Sequence, residues 1–113
     1  MLFVVMGFDR PSDGAEVRRA NRAAHLRFLQ EHVSTFRYGG ALLGEGGKMV
    51  GSLMMLDLPD RAALRQFLEG EPYCLARLFE PLFVHETRQV APEPAPGFIA
   101  RELAGEMEKG LGA

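Results

Sequence analysis

The sequence predicts a single α+β domain whose elements run β-α-β-β-α-β around one antiparallel sheet, a ferredoxin-like arrangement. Three observations carry this. Apolar, β-prone runs open the chain and recur in its middle and near residue 90. Two intervening segments repeat their apolar residues at helical spacing. A glycine-rich turn joins the two central runs as a hairpin. With 113 residues the chain suits one domain, and so small a core favours burial of further apolar surface against a second copy.

Residues 2–8 are a continuous apolar run. This reads as a strand buried on both faces, or with one face in a core and one in a subunit contact. Asp9-Arg10-Pro11-Ser12-Asp13-Gly14 has loop composition. Asp13 and Glu16 resemble a capping box, opening a helix over residues 14–33. On its wheel Val17, Ala20, Ala24 and Phe28 form one edge of a broad inward arc, and Leu26, Leu29 and Val33 form the other. Arg18, Asn21, Arg22, His25 and His32 fall inside that arc. Glu16, Arg19, Ala23, Arg27, Gln30 and Glu31 form an ordinary solvated face. The inward face is therefore polar in its first half and apolar in its second.

Residues 35–43 read as a strand with Phe36, Tyr38, Gly40 and Leu42 on one side. The turn Gly44-Glu45-Gly46-Gly47-Lys48 offers glycines for positive φ, and residues 49–56 return as the second strand of the hairpin. Asp60 caps a second helix with Leu64, Phe67 and Leu68 as its apolar stripe. Gly70 suits the position just past its end. Glu71 and Pro72 fit the cap and first position of a further helical turn carrying Leu75, Leu78 and Phe79. Pro81 closes that turn, and residues 82–90 are the last strand. Residues 91–97 are a proline-rich linker. The extension 98–113 is weakly helical, with Ile99, Leu103 and Met107 at i, i+4, i+8. Residues 1–90 are thus the expected domain.

Composition excludes several functions. At 47% hydrophobic and 25% charged residues the chain is globular. A net charge of −2 and the lack of a basic stripe with aromatics argue against nucleic acid. No run approaches the roughly 20 apolar residues of a membrane helix, and the apolar N-terminus lacks the basic flank and cleavage site of a signal peptide. The lone Cys74 can form neither an internal disulfide nor a zinc pair and points to the reducing cytoplasm. No phosphate loop or cofactor motif is present: neither Gly39-Gly40 nor the 44–47 turn is followed by Lys-Ser/Thr and a helix.

His25 is the first candidate for chemistry, because imidazole titrates near neutral pH and can act as acid or base. A structural hydrogen bond is the plainer role for a helix histidine, and Arg22 and Asn21 on the same arc bring the two readings level. His32 suits the C-terminal end of its helix. It lies about 10 Å from His25 along the axis, too far for a shared metal. His85 is expected at the surface or an interface. Glu71 is a helix cap or a catalytic carboxylate, Tyr73 a packing ring or a ligand-orienting hydroxyl, and Cys74 an inert packed thiol. The six methionines suit gaps in a core or interface.

These residues, taken in order, resemble the YCII-related family of small dimeric α+β-barrel proteins. The resemblance covers about residues 1–90. Leu2-Phe3-Val4-Val5 is similar to the family's opening strand, and Arg22-Ala23-Ala24-His25-Leu26 to its Arg-x-x-His-Leu pattern. Gly39-Gly40 resembles Gly-Pro after the second strand, with Gly40 replacing the proline. Val50-Gly51-Ser52-Leu53 opens the third strand in the family's manner. Glu71-Pro72-Tyr73 resembles the Asp-Pro-Tyr signature, with a carboxylate one methylene longer.

The resemblance implies a homodimer with two four-stranded sheets face to face. It also implies a His-carboxylate pair of His25 and Glu71, as in relatives that include a dehydrochlorinase of a chlorinated hydroxyquinol. The expected function is then a cofactor-independent small-molecule lyase. His25 would move a proton, Glu71 would fix its tautomer, Arg22 or Arg18 would hold an anionic substrate oxygen, and Tyr73 would add a hydrogen bond. The alternative is a non-catalytic ligand-binding or accessory dimer that uses the 98–113 extension as its contact. A haem-degrading monooxygenase ranks below both, since His85 is the only strand histidine.

Overall fold

A computed structural model describes residues 1–112. The expected extension runs on to Ala113, which lies outside the described residues. The strands are β1 (Leu2–Asp9), β2 (Phe36–Leu43), β3 (Met49–Asp57) and β4 (Phe79–Thr87). The helices are α1 (Gly14–Glu31), α2 (Arg61–Gly70), the single turn α3 (Pro72–Leu75) and α4 (Phe98–Gly112). The strands form one sheet in the order β2-β3-β1-β4, every pairing antiparallel. This is the ferredoxin-like α+β fold, with a helical extension beyond β4.

Strand parity divides the sheet into two unlike faces. Phe3 and Val5 of β1 and Met54 and Leu56 of β3 point toward the helices. They form the core with Leu64 and Phe67 of α2, and Phe28, Phe36 and Val84 lie against it. Leu2, Val4 and Met6 point the other way and are only half-buried. With Phe8, Tyr38 and Phe83, all at least 40% exposed, they leave the second face open and apolar.

Local chemistry explains most boundaries. Asp60 Oδ1 accepts from the Ala63 N–H at 2.8 Å and caps α2. Glu71 Oε2 accepts from the Cys74 N–H at 2.9 Å and caps α3, with Pro72 in the first helical position. Gly46 and Gly47, with φ of 73° and 77°, turn the β2–β3 hairpin.

Five expectations are corrected. Asp13 makes no side-chain cap bond; both of its oxygens accept from Arg10, at 2.6 and 3.0 Å. α1 stops at Glu31 with His32 as its C-cap, and a short 3₁₀ turn follows. Gly70 is the last residue of α2, not the one beyond it. A register shift between Phe36 and Tyr38 turns these two residues to opposite faces, so Phe36 meets the core while Tyr38 lies on the open side. The last strand starts at Phe79 and ends at Thr87, three residues early at both ends. Arg77, at φ 54°, ends the helical turn early, and Pro81 is tolerated within β4 because an edge strand need not use every N–H.

Candidate functional site

The polar half of α1 lies over one corner of the helix-covered face. Asp9 ends β1 on the parity of Phe3 and Val5, and its carboxylate accepts from Arg18 Nε and Nη2, both at 2.7 Å. Arg18 Nη2 also donates to Ser52 Oγ on β3 at 3.0 Å. Burial pulls the Arg18 pKa down, but the paired Asp9 carboxylate more than compensates, and the net shift is upward. Arg18 is 7% exposed. Its guanidinium carbon sits 4.9 Å from the centre of the Tyr73 ring, a cation–π contact.

Tyr73 is buried in α3. One face of its ring stacks on His25 at 4.0 Å and 16°, and the Phe79 ring stands perpendicular to it at 6.0 Å. Phe79 has room because residue 7 is glycine: a Cβ there would lie 2.4 Å from Phe79 Cγ. Burial raises the Tyr73 pKa against the opposing charges of Arg18 and Arg22, which keeps the hydroxyl protonated.

His25 and Glu71 lie 46 residues apart in sequence and meet here. His25 Nδ1 donates to Glu71 Oε1 at 2.5 Å, since an ionised carboxylate only accepts. The other Glu71 oxygen holds the Cys74 N–H, so both oxygens of a side chain with no exposed surface are used. Burial raises the Glu71 pKa, but the bonds from His25 and the Cys74 N–H outweigh it and hold the carboxyl below its ordinary value. It is therefore an anion near neutral pH. The Nε2 of His25 makes no hydrogen bond within the described residues. His25 lines a cavity of about 180 Å³ between α1 and the sheet, together with Arg18, Arg22, Ser52, Met54 and Tyr73.

An imidazole whose Nδ1 proton is pinned by a buried carboxylate presents a basic lone pair at Nε2. The arrangement can take a proton from a ligand in the cavity and return it. Arg22 is exposed at the cavity wall and forms no ion pair among the described residues.

The expected site residues His25, Glu71, Tyr73, Arg18 and Arg22 converge here. Asp9 and Ser52 were not anticipated. Alternating parity from Phe3 through Gly7 would have turned Asp9 inward beside Arg18, but the loop composition that follows hides it. His32 lies apart, stacked on Phe28 at 4.0 Å with its Nδ1 bonded to the Phe28 carbonyl at 2.9 Å. His85 is exposed on the open face. The Cys74 thiol is pushed up by burial and by the nearby Glu71 charge, so it is a poor nucleophile.

Fold and site together define a ferredoxin-like α+β domain with a histidine–carboxylate contact at a helix–sheet cavity. The sequence matches the model of the YCII-related domain over residues 1–88, and the chain belongs to that family. A similar solved structure is 5-chloro-2-hydroxyhydroquinone dehydrochlorinase (TftG) from Burkholderia phenoliruptrix AC1100, in complex with 2,5-dihydroxybenzoquinone. It is 31% identical with a TM-score of 0.72, covering 79% of this chain and 95% of that one. An antibiotic biosynthesis monooxygenase is similar in fold, at 19% identity and a TM-score of 0.50, covering 80% of this chain and 99% of that one. No curated protein matches the sequence. No helix among the described residues is long and apolar enough to cross a membrane.

Proposed function

We propose that this protein is a cofactor-independent lyase of the dehydrochlorinase type, acting on a small hydroxylated ring. The observation that carries the reading is the 2.5 Å contact of His25 Nδ1 with the buried Glu71 carboxylate, at the wall of the cavity. At about 180 Å³ the cavity is smaller than the roughly 300 Å³ at which drug-sized sites begin, and it suits a single ring. The likeness to a dehydrochlorinase that holds a dihydroxybenzoquinone supports the same class of ligand.

For a chlorinated ring with para hydroxyls the steps balance without an oxidant. His25 Nε2 takes the proton of the hydroxyl beside the chlorine and returns it to the chlorine-bearing carbon, leaving a ketone. Loss of the para hydroxyl proton then expels chloride with its bonding pair, and the ring leaves as a quinone, having lost HCl overall. Glu71 steadies the imidazolium between steps. Arg22 holds the developing oxyanion, Arg18 lines the wall and steadies Tyr73, and the Tyr73 hydroxyl adds a bond to the ligand.

Chloride release from 5-chloro-2-hydroxyhydroquinone, measured with a chloride electrode on wild-type protein and His25→Ala, tests this. Turnover that falls about 10²–10⁴-fold in the variant is expected. Equal turnover in the two proteins, or none in the wild type across a panel of chlorinated hydroquinones, would sink the reading.

The functional unit is a homodimer in this proposal, joined through the open sheet face. Leu2, Val4, Met6, Phe8 and Phe83 form a contiguous apolar surface of the kind that marks an interface. Light scattering on wild type and Val4→Glu checks it, with a dimer that splits in the variant as the expected result. The single cysteine suits a reducing compartment such as the cytoplasm. Residues 1–90 would carry the site and residues 98–112 would be an appendage.

A further inference from the structure

Next to the cavity beside His25 lies a second, shallower recess of about 360 Å³, lined by Ala15, Arg18, Arg19, Arg22, Lys48 and Met49. Arg18, Arg22 and Met49 border both chambers. The outer recess differs in charge from the inner one. Arg18 is neutralised by Asp9. Arg19, Arg22 and Lys48 are exposed and form no ion pair among the described residues. No carboxylate lines the recess. Three uncompensated cations thus gather at one mouth on a chain whose net charge is −2. Two of them come from successive exposed turns of α1, and the third from the β2–β3 hairpin across the gap. Arg19 belongs to the face of α1 that the helical wheel assigns to solvent, and Lys48 to a turn, so the sequence alone does not bring them together.

Such a cluster is costly through mutual repulsion unless an anion occupies it. The inner chamber has an apolar floor and one basic nitrogen, and it accommodates a ring without a full charge. The joint border at Arg22 and Met49 lets one ligand span both chambers.

We infer that the outer recess is a carboxylate subsite, so that the ligand is a hydroxylated aromatic acid: its ring lies beside His25 and its carboxylate between Arg19, Arg22 and Lys48. This rests on the reading of the inner chamber as a ring site. Arg22 serves both chambers, while Arg19 and Lys48 decide specificity and stand outside the proton-transfer machinery.

NMR titration of the full chain with 2,5-dihydroxybenzoate and with hydroquinone separates the two ideas, because these probes share a ring and differ in the carboxylate. The acid is expected to bind roughly three- to tenfold more tightly, as two or three exposed charge contacts allow. In R19Q/K48Q, where Arg22 is the one unpaired cation left at the recess, that preference should fall by half or more, with hydroquinone affinity unchanged, and high salt should shrink it in the wild type. Equal binding of both probes by wild type overturns the subsite and leaves the inner chamber standing. A preference undiminished in R19Q/K48Q likewise overturns it. If neither probe binds, the ring site itself is refuted and the subsite with it.

Discussion

His25 and His32 lie two turns apart on the same side of α1, and each stacks at 4.0 Å on an aromatic ring. Their partners separate them. His25 Nδ1 meets a carboxylate from a distant segment, and His32 Nδ1 meets the carbonyl of Phe28 one turn back on its own helix. A carboxylate can stabilise an imidazolium as it forms, whereas a backbone carbonyl mainly fixes the ring and closes the helix end. The surroundings follow the same division. Around His25 lie Arg18, Asp9, Ser52 and Glu71, with every buried side-chain polar atom among the described residues partnered. Around His32 lie Phe28 and Phe67. One helix thus joins a polar corner to an apolar one that holds the fold together.

The largest expected effect breaks the first corner alone. In Glu71→Gln the amide keeps one oxygen for the Cys74 N–H and turns its NH₂ toward His25. Nδ1 must then accept, the ring proton moves to Nε2, and the basic lone pair is lost. Turnover in the chloride assay is expected to fall roughly 10²–10⁴-fold, with a far smaller change in thermal stability. An active Glu71→Gln protein would make the two histidines equivalent after all. The opposite corner should respond in the opposite way. Phe67 contacts Phe28, His32 and Phe36 and is 6% exposed. Phe67→Ala is expected to cost about 3–5 kcal/mol by urea denaturation, while the protein that remains folded turns over at close to the wild-type rate.

This division was only partly legible in the sequence. The order of elements was, because apolar periodicity and turn residues act locally. The polar first half of α1 was too, since a helix that only packs has no use for Arg18, Arg22 and His25 on its inward arc. Three things were not. Pro81 looks like a strand breaker until β4 is known to be an edge. The register shift beside Phe36 inverts a strand's parity without leaving a mark in composition. The meeting of His25 with Glu71 joins residues 46 apart, and the residues alone left both as plausible structural groups; family resemblance was what paired them. Asp9 was legible in principle, by extending the parity of β1 one step further.

A smaller effect concerns the cap. His32→Ala removes one side-chain bond and a stack at the end of α1, and about 1 kcal/mol of stability is expected to go with it. Turnover should not change, and a loss comparable to that of His25→Ala would mean that the apolar corner takes part in the chemistry.

The smallest effect is a dependence on pH that only the polar corner should show. Glu71 has its pKa depressed below an ordinary 4.5 in the folded chain. The unfolded chain therefore binds a proton on this group before the folded one does. Ionised Glu71 contributes stability that is fully present above about pH 4.5, and that contribution fades as pH falls through the folded value. Glutamine cannot titrate, so the urea midpoint of wild type relative to Glu71→Gln should shift steadily downward from about pH 5 to about pH 3. His32→Ala gives the control, because its carbonyl partner does not titrate and its own gap to wild type should stay flat over that range. A wild-type gap to Glu71→Gln that is equally flat would show that the buried carboxylate is not held in its charged form by His25 and the Cys74 N–H.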